Sequence, residues 1–372
     1  MRHAHARANE SGGPQADKYY RGNSGKHAAS LTASGDYVEQ ISNLGIVQRG
    51  SARYGGAMES ILNIVLPAFG LIGLGYVIAR LNYLSESTGD ALADFVFKVA
   101  VPVLLMKSIA TAQFAEANPW VFVLVYFCAI AVVWAAAIVL IRWVFKRGSR
   151  AGVIAGVAAG YSNLVLFGIP LVERAYGQPG LQILLFLLAI HLPTMMAVST
   201  FLMEYAVRSD GVETDKIQPL TIAKHLAGNL VVNPIIIGIL VGLLWRASGL
   251  GIGGAAGHVI DLLARTTGPL ALLSLGMGLI KYGVKGNLMA ACSLAAIGLL
   301  AMPAAVYIVA STIFPLPPLW FKVALLAASC PTGVNAYLFA SYFKIAEGLA
   351  SSTIVISLVG SLITIPLWLS LA

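Results

Sequence analysis

From Met58 onward the chain alternates long apolar runs with short polar ones, and the apolar runs dominate. About 20 mostly apolar residues carry a helix across the hydrocarbon core. Ten stretches meet that length, with ends uncertain by a few residues: 59–80, 88–110, 119–145, 151–173, 180–206, 220–247, 257–281, 286–313, 319–343 and 349–371. Backbone polar groups in lipid must be bonded within their own segment, so these runs read as helices and the fold class is all-α, polytopic. Between them only 207–219, read as a cytoplasmic loop, and the "GLGIGGAAG" stretch at 249–257 are sizeable. Residues 1–57 are different material: polar, rich in Gly and Ser, without apolar period, and unable to bury enough surface to order themselves. They read either as a native disordered tail or as sequence upstream of a biological start at Met58.

Two of the ten runs carry polar residues where lipid favours Leu. The fourth holds "AAGYSNLVLFGIP" at 158–170, with Gly160, Ser162 and Asn163 ahead of Gly168 and Pro170. The ninth holds "SCPTGVNAY" at 329–337, with Pro331, Gly333 and Asn335. Proline removes a helical hydrogen bond and clashes with the preceding turn, so both runs are expected to break. The freed backbone groups must then meet protein or water in a cavity.

The chain also repeats itself. Pro67 and Pro234 are 167 positions apart, and Asp94-x-x-x-Lys98-x-x-x-Pro102 lies at the same offset from Asp261-x-x-x-Arg265-x-x-x-Pro269. At an offset of 172, "AGVAAGYSNLVLF" (155–167) overlays "AASCPTGVNAYLF" (327–339), matching Asn163 with Asn335 and Phe167 with Phe339. Three matches in order imply two five-helix repeats, 58–206 and 220–372. Because five is odd, the second repeat enters the membrane in the opposite sense. Inverted repeats with interrupted helices in corresponding places characterise secondary transporters, whose sites lie near mid-membrane.

Composition agrees with this reading. The 372 residues are 58% hydrophobic and only 11% charged, with a mean hydropathy of +0.82, far from the charge content of soluble domains. The net charge of +8 sits in loops beside apolar spans, which argues against nucleic acid. One set of loops holds Arg80, Arg142, Lys146, Arg147, Arg150, Arg208, Lys216, Lys224, Lys281, Lys285 and Lys344; the other holds Lys107, Arg174, Arg246 and Lys322. By the positive-inside rule the first set faces the cytoplasm, and both ends of the membrane domain lie outside. The basic residues of 1–57 conflict with that orientation. The three cysteines lie in apolar runs and suggest neither disulfides nor a metal site. No metalloprotease, serine-hydrolase or nucleotide-binding motif occurs in a sensible context, so an enzyme is not expected.

Candidate chemistry follows from the breaks. Half-helix N-termini expose N–H groups and positive dipole ends that suit a carboxylate, and the Asn163 and Asn335 amides could donate to the same anion. A lone Asn in a membrane helix often only glues helices together; two in repeat register favour a binding site. Asp94 with Lys98, and Asp261 with Arg265, are spaced i,i+4 on one helix face. Each reads either as a coupling pair lining the cavity or as a structural salt bridge. His191, next to Pro193, reads as a proton relay or as a hydrogen-bonding partner of a neighbouring helix. Pro67, Pro102, Pro234 and Pro269 read as kinks, and Trp120, Trp245 and Trp320 as interfacial aromatics.

"ILNIVLPAFGLIGLGYVIARL", the Asp94–Lys98 helix, "YSNLVLFGIPLV", "NLVVNPIIIGILVGLL" and "CPTGVNAYLFASYF" together resemble the auxin efflux carrier family of bacteria. That family is related to plant PIN auxin carriers and more distantly to bile-acid sodium symporters. The resemblance covers 58–372 and implies a scaffold of spans one, two, six and seven, with a mobile domain of the other six. It implies crossing of the fourth and ninth helices, carboxylate binding by Asn163 and Asn335, elevator-type alternating access and a homodimer through the scaffold. The implied cargo is a small organic anion such as malonate or malate, moved across a bacterial inner membrane with proton or sodium coupling and no cofactor. A transporter-like sensor of a lipid or metabolite is the alternative.

Overall fold

The computed structural model describes residues 46–112, 118–211 and 232–372. Residues 1–45 of the expected tail, most of the 207–219 loop and the start of the sixth span lie outside the described residues. Tyr54–Ala372 form one unit. Every regular element described is helical; the only bridge among the described residues is an isolated antiparallel one between Ser162 and Thr332.

In chain order α1 is Ile46–Arg80, α2 Glu86–Phe95, α3 Val101–Ala110, α4 Pro119–Val139, α5 Ser149–Gly160, α6 Ile169–Ser209 and α7 Pro234–Ala247. Then follow α8 Gly254–Tyr282, α9 Leu288–Ala296, α10 Met302–Ile308, α11 Pro318–Ala328, α12 Asn335–Tyr342 and α13 Glu347–Ser370. Among the described residues six helical stretches are long and apolar enough to cross a membrane: Ile61–Arg80, Pro119–Val144, Leu164–Ser209, Gly254–Tyr282, Leu288–Ile313 and Glu347–Ser370. The other expected spans are divided or short, for identifiable reasons. The second is split by a π-helical turn at Val96–Ala100 and also carries acidic residues. The fourth runs into the fifth across Gly177, whose φ of 62° and ψ of −158° no helix contains. The ninth is cut between α11 and α12, and α7 is a shorter apolar helix.

Proline explains three of the five π-turns among the described residues. Those at Val96–Ala100, Leu164–Gly168 and Ile297–Ala301 each run straight into a helix with Pro102, Pro170 or Pro303 in its first two positions. Proline cannot donate to the carbonyl four residues back and its ring crowds that carbonyl, so the chain widens by one residue per turn. Pro234 plays a different part from the expected kink. It opens α7, whose Asn233 cap accepts from the Ile235 N–H at 2.9 Å. Asn118 caps α4 in the same way, accepting from Trp120 N–H at 3.0 Å.

Small residues set the helix crossings. A side chain on Gly75 would collide with the Leu273 carbonyl of α8, and one on Gly276 with the Ile72 carbonyl of α1. Likewise Gly238 and Gly242 of α7 lie directly on the backbone of Pro102 and Met106 in α3. The buried core centres on α4, α5, α6 and α11, through Phe122, Tyr126, Ile154, Leu184 and Val323. Helix α5 is buried from Ala151 to Gly160 on every side, so protein surrounds it, whereas Leu66, Val132, Phe201 and Ile363 face outward as a bilayer requires. Trp120 is exposed as expected, but Trp320 is buried edge-on against Phe122 at 5.3 Å, because α11 packs inside the core.

Candidate functional site

Helix α5 stops at Gly160 because Tyr161 (φ −100°, ψ 86°) leaves the helical region, and Asn163 (φ −77°, ψ 70°) follows it. Helix α11 stops at Ala328, and the chain becomes helical again at Asn335. The two breaks meet and satisfy each other. The Asn163 N–H donates to the Pro331 carbonyl at 2.8 Å, and the Gly333 N–H donates to the Tyr161 carbonyl at 2.7 Å. Two stretches of irregular backbone thus replace lost helical bonds with an antiparallel pair. Thr332, which the sequence reading passed over, fastens the crossing. Its hydroxyl donates to the Ala158 carbonyl at 2.8 Å and its N–H to Ser357 Oγ of α13 at 3.0 Å. The available signal was a hydroxyl residue lying between Pro331 and Gly333 in an apolar run.

Beside the crossing is a pocket of about 250 Å³, counted to its open mouth. Its enclosed part has room for about one water molecule. Ser162, Asn163, His191, Gly333 and Asn335 line it, so five sequence-selected residues from three separate stretches converge there. Gly160 and Pro331 are not among the lining residues. Gly160 rests on Ile130 at ordinary contact distance, and Pro331 contributes its carbonyl to the crossing.

Asn163 is buried and its amide orientation is fixed: Oδ1 accepts from the Leu166 N–H at 3.2 Å, which leaves the NH₂ group as the free end. Val334 and Asn335 lie in the first turn leading into α12, where N–H donors have no intrahelical acceptor. The Tyr161 hydroxyl approaches the Asn335 side chain but falls outside hydrogen-bond geometry. His191 is fully buried, and neither ring nitrogen has a hydrogen-bond partner among the described residues. Its ring meets the edges of Tyr161 at 5.0 Å and Tyr126 at 5.8 Å, with Phe127 tilted at 6.1 Å.

The charge pairs divide. Lys98 Nζ and Asp94 Oδ2 do pair, at 2.6 Å, but their side chains are 62% and 65% exposed and do not line the pocket. The same helical segment reaches the pocket through Phe97. The expected Asp261–Arg265 pair does not form. Asp261 takes Lys107 from α3 at 2.8 Å, while Arg265 is exposed and has no ion pair among the described residues. A same-helix pair is worth only a few tenths of a kcal/mol, so a cation delivered from the packed neighbour displaces it. Nothing in the local spacing announced Lys107.

The family described as membrane transport protein matches residues 60–369, nearly the whole described unit. A Rhizobium meliloti (strain 1021) protein named "Putative malonate transporter" is 26% identical over 316 residues, covering 83% of this chain and 94% of its own length. An "Uncharacterized transporter" of Methanothermobacter thermautotrophicus is 27% identical over 315 residues, with 84% and 97% covered. Auxin efflux carrier component 8 of Arabidopsis thaliana is 22% identical over 351 residues, with 82% and 95% covered. With broken helices crossing at a buried polar pocket, and a family match across that whole region, the chain belongs to the membrane transport protein family, alongside the auxin efflux carriers.

Proposed function

We propose that this membrane transporter is a secondary carrier of small organic anions, carboxylates in particular, that works by elevator-type alternating access in a bacterial inner membrane. The observation that carries the reading is the crossing itself. Unwound backbone meets there at a buried pocket, with the Asn163 NH₂ group unengaged and the first turn of α12 beside it. Amide donors and helix N-termini suit a carboxylate, and among the described residues no lysine or arginine lines the pocket to overbind it. Because the enclosed part holds about one water, admission of any acid requires the walls to part.

The proposed architecture is ten spans in two inverted repeats, 58–206 and 220–372. Support comes from reciprocal contacts at the repeat offset. Gly75 of α1 lies on Leu273 of α8, and Gly242 of α7 lies on Met106 of α3; adding 167 to the first glycine and subtracting it from its partner gives the second pair. Exchange of contacts between equivalent positions is what two-fold pseudosymmetry produces. We further propose coupling to a proton or sodium gradient, with Asp94 and Lys98 as its first candidates. Both ends of the membrane domain would face outward, and a homodimer would form through the first, second, sixth and seventh spans.

The test is uptake into proteoliposomes of labelled malonate, malate and an indole acid, with and without imposed proton or sodium gradients. Gradient-dependent accumulation of at least one acid is expected. Binding without movement would favour a sensor, and neither binding nor movement of any acid would end the carboxylate reading.

A further inference from the structure

We infer that His191, with the Tyr161 hydroxyl, is a second polar anchor of the pocket and makes it select a short dicarboxylate over a monocarboxylate. The inference rests on the carrier reading above and adds a specificity determinant to it. A carboxylate has about four lone-pair sites, and the Asn163 NH₂ group, the Ser162 hydroxyl and the first-turn N–H groups near Asn335 are enough to fill them. His191 and the Tyr161 hydroxyl are then left over. Both are buried, both lack a hydrogen-bond partner, and both residues line the same pocket. His191 stands among three aromatic rings, Tyr126, Phe127 and Tyr161, each in contact with it, where a phenylalanine would strand no polar atom. An imidazole held dry without partners is therefore poorly explained by packing. Whichever tautomer is present, a neutral imidazole offers one donor and one acceptor. A ligand with a second carboxyl group meets that requirement, and the small pocket keeps the two groups a short carbon chain apart.

The experiment measures inhibition of labelled malonate uptake in proteoliposomes by unlabelled acetate, malonate and succinate, for the wild type, His191→Phe, His191→Gln and Tyr161→Phe. Thermal unfolding in detergent checks each variant's fold. The wild type is expected to prefer malonate to acetate. In His191→Phe the half-inhibiting concentration of malonate should rise about 10- to 100-fold, the loss of one hydrogen bond to a charged group, while that of acetate stays within about 2-fold. His191→Gln, which keeps a donor and an acceptor, should recover part of the preference, and Tyr161→Phe should lose a smaller part of it. Equal weakening of acetate and malonate in folded His191→Phe would overturn the inference and leave the carrier reading intact. A wild-type protein that handles acetate and malonate alike would do the same. Failure of the wild type to bind or move any of the acids would instead strike the carrier reading, and this inference with it.

Discussion

Gly333→Ala offers the sharpest check on the crossing. An added methyl carbon at this position would lie 2.8 Å from the Tyr161 carbonyl oxygen and 3.4 Å from that of Ser162. Both are backbone atoms, fixed by the bonds that make the crossing, so no side chain can swing away to make room. Overpacking of this kind costs about 1–3 kcal/mol. Separating the two breaks also weakens the buried Gly333 N–H bond to Tyr161, worth about another 1–3 kcal/mol if its partners are left unpaired. The variant should therefore lose about 2–6 kcal/mol. Gly160→Ala is the control, from the other broken helix. Its new methyl would meet Ile130 no closer than 3.6 Å, inside a helix where alanine is favoured over glycine by up to about 1 kcal/mol. Tryptophan-fluorescence melting in detergent should place Gly333→Ala about 4 °C or more below the wild type and Gly160→Ala at or above it. Equal melting of the two, or greater damage from Gly160→Ala, would refute the crossing as described.

Asn163→Asp keeps an oxygen for the Leu166 N–H but removes the NH₂ group and adds an unpaired buried carboxyl, so it should lose anion uptake and melt below the wild type. Asn163→Ala should lose uptake and also about 1 kcal/mol of stability, read from the same melts. A double-mutant cycle on Lys107 and Asp261 should give a larger coupling than one on Asp261 and Arg265; the reverse order would reinstate the same-helix pair. Asp210 caps the start of α5, accepting from the N–H groups of Ser149 at 2.8 Å and Arg150 at 3.1 Å. Burial alone would raise its pKa, but these donors outweigh burial and hold the carboxyl below its ordinary value. The folded-state pKa is thus the lower one: the contribution is complete above the unfolded pKa of about 4 and vanishes as pH falls through the folded one. Melting temperatures against pH should show the wild type's advantage over Asp210→Asn shrinking on the acid side of about pH 4.

Much of this protein is decided along the chain. Apolar runs become helices in lipid, proline disturbs the turn before it, and polar residues within such runs point to a break or a polar contact. These are local constraints, so the two breaks, a disturbance at Pro102 and the residues Ser162, Asn163, Gly333, Asn335 and His191 that line the pocket could be picked out from residue types and spacing. Through-space partners left no such trace. Asp261 takes Lys107 because α3 packs against α8, and Trp320 is buried because α11 runs inside the core. Gly160 and Gly333 each sit at one of the two breaks, yet a carbon added at Gly333 would press on backbone at 2.8 Å, whereas one at Gly160 would meet nothing closer than 3.6 Å. Residue chemistry sets what a segment can tolerate; which atoms it meets depends on how distant segments pack, and that is decided only when the whole chain folds.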